Sequence, residues 1–301
     1  MKGHLIVITG PTASGKTALA IELAQKHNAE IFSADSRQFY REMSIGTAKP
    51  DTSELKAAVH HFINHLSVHD QYSAGDFERD CMDALNLYFT NKKLAILVGG
   101  SGLYIDAICN GVDEFPDIDP KYRVELNQEL KTKGLEALVD ELKEKDFSYY
   151  ENVDLQNPHR VIRALEVCRA TGQSFSSFLN QKKTKRSFGI SKFAIDIDRP
   201  KLYDRINHRV DIMFDQGLVE EARKLYPMKE INALQTVGYR ELFDYFDGNC
   251  TLETAIENIK KNTRRYAKRQ MTWLRKDASI IWLSEDPKQQ IRIIEKNLAF
   301  K

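Results

Sequence analysis

Apolar residues recur along this chain in two rhythms. Two unbroken apolar runs, Leu5-Ile6-Val7-Ile8 and Leu94-Ala95-Ile96-Leu97-Val98, have the character of buried strands in a parallel sheet, and Ala29-Glu30-Ile31-Phe32-Ser33 is a short strand-like run between them. Between these runs the apolar positions change to helical spacing. Ala18-Leu19-Ala20-Ile21-Glu22-Leu23 follows the first run, and Phe77, Cys81, Ala84, Leu85 and Tyr88 precede the one from Leu94, with Ala74-Gly75-Asp76 as a start signal. This alternation predicts an α/β fold, a parallel sheet flanked by helices. From about Asp113 the pattern changes. A polar connector, Asp113 to Pro120, leads into a stretch that reads as helix throughout, with no buried strand before Phe193. The core then resumes with a strand at Lys192-Phe193-Ala194-Ile195-Asp196-Ile197 and a long helix opened by Asp198-Arg199-Pro200 that carries Leu202, Ile206, Val210 and Met213. Ser279-Ile280-Ile281-Trp282-Leu283 reads as a last strand before a terminal helix. The expected organisation is a core of residues 1–112 and 188–301, interrupted by an all-helical insertion over 113–187.

The joint between the first strand and the first helix carries chemistry. Gly10-Pro11-Thr12-Ala13-Ser14-Gly15-Lys16-Thr17 has the order of a phosphate-binding P-loop, so the core is expected to be P-loop NTPase-like. Its backbone N–H groups and the helix N-terminus attract an anion, Lys16 reaches the outer phosphates, and Thr17 offers a hydroxyl to magnesium. The loop implies a di- or triphosphate, nucleotides such as ATP included, without specifying the reaction.

In doubly wound sheets ligands collect outside the carboxyl ends of the strands. Asp35 falls there, in Ala34-Asp35-Ser36-Arg37-Gln38, either as a carboxylate facing the ligand or as a residue that caps the next helix or forms an Asx turn. Gly99-Gly100-Ser101-Gly102 ends another strand where many nucleotidases place an acid for magnesium; glycines there let backbone approach a ligand and leave Ser101 to hydrogen-bond. Ile45-Gly46-Thr47-Ala48-Lys49-Pro50 reads as a loop, with Lys49 facing either phosphate or solvent. Arg205 and Arg209 lie four apart and share a helix face, from which one of them can enter the phosphate site. Arg160 and Arg163 share another, on a helix opened by Asn157-Pro158.

Composition narrows the class. Of 301 residues 42% are hydrophobic, enough for a sizeable core, and the formal charge of +1 argues neither for nor against a polyanionic partner. Basic residues nevertheless concentrate in Lys182-Lys183-Thr184-Lys185-Arg186 and between Lys260 and Lys276, where Tyr266 and Trp273 are interleaved in a manner suited to an RNA backbone and unstacked bases. Four dispersed cysteines suggest neither a disulfide framework nor a zinc site. His61, His65 and His69 have helical i, i+4 spacing but lack acidic partners on that face, so metal binding there is disfavoured. With the first strand beginning at once and no apolar run of membrane-spanning length, a cytoplasmic protein without a membrane or an obligate protein partner is expected.

Taken together these motifs resemble the tRNA dimethylallyltransferase family, also called tRNA isopentenyltransferases, in its bacterial form. The resemblance rests on Gly10 to Thr17, Ser33 to Gln38, Gly46 to Pro50, Gly99 to Tyr104, Asn157-Pro158-His159-Arg160 through Glu166, Thr236 to Tyr239, and Tyr266 through Trp273, in that order. Two positions depart from the family pattern: Val59 stands where a proline often precedes the His-His pair, and Ser101 where the family has threonine. The resemblance implies transfer of a dimethylallyl group from dimethylallyl diphosphate to N6 of the adenosine next to the anticodon, with diphosphate as leaving group and Mg2+ as cofactor. It implies Asp35 as the base accepting the amino proton, with Lys16, the P-loop, Thr17 and Arg209 on the diphosphate. It assigns Asp35, Ser36, Arg37, Gln38, Ser101, Arg123, His159, Arg160, Val161, Ile162 and Arg163 to the tRNA anticodon arm. Three rival readings are a prenyltransferase acting on free adenylate, a P-loop kinase or NTPase, and a non-catalytic RNA-binding protein. The kinase requires a second acidic magnesium ligand that the strand ends do not offer.

Overall fold

A computed structural model describes residues 3–179 and 185–299. The chain opens with β1 (His4–Thr9), α1 (Lys16–His27), β2 (Glu30–Ser33), α2 (Thr52–Ala57), β3 (His60–His61), α3 (Ala74–Tyr88), β4 (Leu94–Gly99) and α4 (Gly102–Asn110). Three helices follow, α5 (Lys121–Lys145), α6 (Phe147–Tyr150) and α7 (Pro158–Thr171), after which the sheet resumes with β5 (Gly189–Ile195). The last elements are α8 (Arg199–Asp215), α9 (Leu218–Leu225), α10 (Tyr239–Phe246), α11 (Leu252–Leu274), β6 (Ile280–Leu283) and α12 (Pro287–Ala299).

All six strands are parallel, in the order β3-β2-β4-β1-β5-β6. Unbroken apolar runs are what such a sheet requires, because helices cover both faces. On β1, Leu5 and Val7 join one core with Phe32, Phe39, Phe77 and Tyr239, while Ile6 and Ile8 point into the opposite core with Leu19 and Leu23 of α1 and Ile294 of α12. Since β2 and β4 lie to one side of β1 and β5 and β6 to the other, the connections reverse direction there. Such a switch point opens a crevice above the strand ends.

Residues 111–184 form a separate compact unit, and the remainder of the chain forms the other. The described part of the smaller unit is helical, built around Leu126, Leu138, Leu142, Val161, Leu165 and Phe175, and α5 kinks at Gly134, whose φ is 83°. Helix α7 starts as its sequence dictates, with the Asn157 side chain accepting from the His159 N–H and Pro158 in the first turn. Two placements differ from the sequence reading. Lys185 and Arg186 belong to the larger unit, where the Arg186 guanidinium donates to the carbonyls of Ala107 and Ile108 and pairs with Glu78; Lys182 to Thr184 lie outside the described residues. The histidines do not share a helix. His60 and His61 form β3; His61 stacks on Phe32 with ring centroids 4.4 Å apart and shares a 2.6 Å hydrogen bond with Glu30, an aromatic contact worth about 0.5–1.5 kcal/mol. Among the described residues no group of three or more His, Cys, Asp or Glu side chains is placed to hold a metal.

Candidate active site

The strand ends converge as the sequence requires. Gly10 leaves β1 at φ 150°, Ala13 and Gly15 take φ values of 63° and 93°, and α1 begins at Lys16 with no side chain capping its N-terminus. The first N–H groups of α1 therefore remain available to an anion. The hydroxyl of Ser14 is buried in this loop and has no protein partner, which fits a cradle built for phosphate oxygens. Lys16 Nζ donates to the Pro11 carbonyl at 2.7 Å, and burial with Arg209 nearby lowers its pKa to about 7, against a smaller pull from Asp35.

Above the P-loop lies a cavity of about 210 Å3, lined by Thr12 to Ala18 together with Ser33, Asp35, Gln38, Glu54, His60, Gly99, Gly100, Arg209 and Gln270. A second cavity, of about 240 Å3, shares Thr12, Asp35, Thr47, Ala48, Arg209 and Tyr266 with it and is more apolar. It adds Val210, Met213, Val237 and Ile259. Asp35 borders both. One of its carboxylate oxygens accepts from the Arg37 N–H at 3.0 Å, so the Asx turn and the ligand-facing carboxylate, alternatives in the sequence, are the same residue here. Burial pushes its carboxyl above the ordinary range, against the Arg37 and Gln38 amides and the Lys16 charge.

Of the paired arginines on α8, Arg209 enters the site, with Nη1 3.4 Å from Thr12 Oγ1, while Arg205 turns outward to Glu285. Burial depresses Arg209, and Glu54 and Asp35 act in the opposite sense. Ser101 joins the Asp35 turn: its hydroxyl accepts from the Ser36 N–H at 3.3 Å and lies 3.3 Å from the Ser36 hydroxyl. Arg37 reaches the Asn232 carbonyl, and Gln38 holds the carbonyls of Thr47 and Ala48. Lys49 faces neither phosphate nor open solvent. Its Nζ donates to the Tyr40 carbonyl and to Asn64 Oδ1, and burial lowers its pKa to about 8.

The basic helix α11 serves the site differently from its sequence reading. Tyr266 lines both cavities, and Trp273 packs beneath Gly102, where a Cβ would lie 2.5 Å from the indole; the indole is therefore spent on packing, not on an unstacked base. Gln270, buried one turn beyond Tyr266, has a role that its sequence position does not announce. Its Oε1 accepts from the Thr12 N–H and its Nε2 donates to the Gly100 carbonyl, both at 2.9 Å, clasping the P-loop to the end of β4. A Cβ on Gly100, the residue after β4, would sit 2.3 Å from that Nε2, so the clasp as formed requires glycine there. The i, i+4 spacing of Tyr266 and Gln270 was the available signal. Gln270→Ala strands two backbone groups, at about 1–3 kcal/mol for each that stays dry. It is expected to lower kcat/KM about tenfold and to lower the thermal midpoint, read by steady-state kinetics and a melting curve.

The insertion residues form their own constellation. Glu166, 7% exposed at its side chain, pairs with Arg123 at 2.6 Å and Arg163 at 3.4 Å, holding both guanidinium groups at the surface, with His159 and Arg160 exposed on the same helix. Val161 and Ile162, assigned with them to RNA contact, are buried in the helical core and do not present side chains to a partner. They occupy the apolar stripe of α7, and their neighbours occupy the polar one.

Comparison with known proteins places these features in context. A family model described as IPP transferase matches residues 38–277. Curated relatives named tRNA dimethylallyltransferase include those of Christiangramia forsetii, 57% identical over 95% of both chains, and Flavobacterium johnsoniae, 50% identical over 98% of both. Among solved structures, the tRNA isopentenylpyrophosphate transferase of Bacillus halodurans is 37% identical with a TM-score of 0.73, covering 99% of this chain and 96% of its own. A eukaryotic dimethylallyltransferase captured acting on tRNA is 27% identical with a TM-score of 0.81, covering 99% of this chain and 77% of its own.

Proposed function

Because the chain belongs to the IPP transferase family of tRNA dimethylallyltransferases, we propose that it moves the dimethylallyl group of dimethylallyl diphosphate onto N6 of the adenosine next to the anticodon and releases diphosphate. The observation that carries this reading is the meeting of two unlike cavities at one carboxylate. The polar P-loop cavity suits a diphosphate. The more apolar one, walled by Val210, Met213, Val237 and Ile259, suits a prenyl chain, which a phosphoryl-transfer enzyme has no need to house.

In this reading Asp35, which borders both cavities, accepts the amino proton of adenine, whose nitrogen lone pair is delocalised into the ring and is a weak nucleophile without a base. Negative charge gathers on the diphosphate as the allylic C–O bond breaks. In the proposed reaction Lys16, the uncapped α1 terminus and Arg209, which line or border the P-loop cavity, stabilise it. In this reading magnesium would be held by the Thr17 hydroxyl and phosphate oxygens, with the Glu54 carboxylate of α2, which also accepts from the Asp51 N–H, on the same cavity wall. When bound, the ion supplies charge neutralisation to the leaving group. Ser36, Arg37, Gln38 and Ser101 border the acceptor side, and Arg123, His159, Arg160 and Arg163 offer the insertion's cations to the anticodon arm.

The test is transfer from labelled dimethylallyl diphosphate, with unmodified tRNA and free AMP offered side by side and ATP hydrolysis followed in parallel. Label in tRNA is the expected result; label in AMP, or ATP hydrolysis alone, would overturn the reading.

Lys16 also makes diphosphate binding pH-dependent. In the free protein its pKa is about 7; a diphosphate alongside must raise it, so binding takes up a proton above pH 7 and weakens as pH rises through that value. Titration calorimetry near pH 8, in buffers of different ionisation enthalpy, is expected to register uptake approaching about one proton. In folding the same depression means that the unfolded chain binds more protons between pH 7 and the ordinary lysine range, so this group adds stability as pH rises there.

A further inference from the structure

Two motifs, Gly46-Thr47-Ala48-Lys49-Pro50 and Thr236-Val237-Gly238-Tyr239, supply walls of the more apolar cavity, yet neither brings a group to the reacting atoms. Glu221, on α9, joins them. Its Oε2 accepts from the N–H groups of Ser44 at 3.0 Å and Ile45 at 2.8 Å, and its Oε1 from the Gly46 N–H at 2.9 Å and the Tyr239 hydroxyl at 2.6 Å. Three successive amides turned onto one carboxylate make a backbone concavity of the kind that binds anions, here filled by the protein's own side chain. Charge-assisted bonds of this sort are stronger than neutral ones.

The packing around the carboxylate leaves little slack. Tyr239 is fully buried, its hydroxyl held well above the ordinary tyrosine range by burial and by Glu221, and a Cβ on Gly46 would lie 2.6 Å from its ring. From the other side Gln38 donates to the carbonyls of Thr47 at 3.3 Å and Ala48 at 3.2 Å, while its own N–H donates to the Asp35 carbonyl at 3.2 Å. Lys49 anchors the loop's exit on Tyr40 and Asn64. The segment left facing the cavity is Gly46 to Ala48, across from Val237 and Gly238. Glu221 lines neither cavity.

We propose that Glu221 is a positioning residue for prenyl transfer: by tying residues 44–46 to Tyr239 it fixes the separation of the two walls between which the prenyl chain lies. This rests on the reading of that cavity as the prenyl site. The diphosphate cradle, built from the P-loop, Lys16 and Arg209, has no bond to Glu221 and is set independently.

The experiment compares wild type, Glu221→Gln and Tyr239→Phe in the full-length protein. It measures KM and kcat with dimethylallyl diphosphate and tRNA, and calorimetric affinities for inorganic diphosphate and for the inert dimethylallyl thiolodiphosphate. Glu221→Gln is expected to raise the donor KM and the thiolodiphosphate Kd about tenfold while changing the inorganic diphosphate Kd less than about twofold; Tyr239→Phe, losing one bond of four, is expected to follow with a smaller split. An unchanged donor KM in the folded variants, or both affinities falling together, would overturn the proposal, since a carboxylate that only supports the fold has no reason to separate them. Should Glu221→Gln not fold, Tyr239→Phe carries the same comparison. A wild-type protein that transfers no prenyl group overturns the functional reading instead, and the two calorimetric affinities still decide whether Glu221 controls the apolar end of the site.

Discussion

Replacing Asp35 by asparagine is expected to lower kcat for prenyl transfer by about a hundredfold to a thousandfold while tRNA affinity changes only a few-fold. Asparagine keeps the shape of the side chain and can still accept the hydrogen bond from the Arg37 N–H, so the turn that carries Ser36 and Gln38 survives. It cannot take a proton. The raised pKa of Asp35 sharpens the expectation: an ionised carboxylate held above its usual range is a stronger base, and the acid limb of the wild-type kcat/KM profile falls as pH drops through that raised value. Single-turnover transfer of labelled prenyl group, with separate tRNA-binding curves, makes the measurement. Loss confined to binding, with turnover intact, would turn Asp35 into a positioning residue.

Lys16→Met is expected to reduce kcat/KM for the donor by about a thousandfold, near the upper end of what a single preorganised charge contributes to a developing anion. Lys16 is a cation whose protonation depends on the ligand, because burial and Arg209 hold its pKa near neutrality in the free protein. Methionine preserves much of the length and apolar stem of the side chain. The substitution should therefore leave the sheet and the thermal midpoint close to wild type and abolish the proton uptake that accompanies diphosphate binding. Persistence of that uptake in Lys16→Met would assign it to another group.

The sheet and the phosphate loop were legible because their causes are local. Four apolar residues before Thr9-Gly10, and alanine and leucine at helical spacing after Thr17, leave one arrangement of strand, loop and helix. Residues whose roles come from distant partners could not be read in that way. Gln270 matters because Thr12 and Gly100 lie at its two ends, and Glu221 because Gly46 and Tyr239 do, in pairs separated by 170 or more residues in all but the last case. A helical pattern cannot distinguish Arg205 from Arg209 either; the distinction is made by Glu285, which draws Arg205 away. The place of Trp273 likewise depends on a distant partner, since the close approach of Gly102 occupies a face of its indole. The assignment of Val161 and Ile162 to RNA contact came from treating five successive residues as one block, although the helical period alone separates the apolar pair from its cationic neighbours.

The strand order also governs how this chain must be made. β1 is central in the finished sheet, with β4 on one side and β5 on the other. As the polypeptide leaves the ribosome, β4 follows β1 with only a few elements between, whereas β5 ends the wait for the second neighbour about 90 residues after β4 is complete. At ordinary synthesis rates the outer edge of β1, carrying Leu5 to Ile8, stays without its partner for about 5–20 seconds while the helical segment is translated. Open apolar edges recruit other chains. Production of this enzyme is therefore expected to depend on nascent-chain protection during that interval, and fragments ending before β5 should be recovered in aggregates.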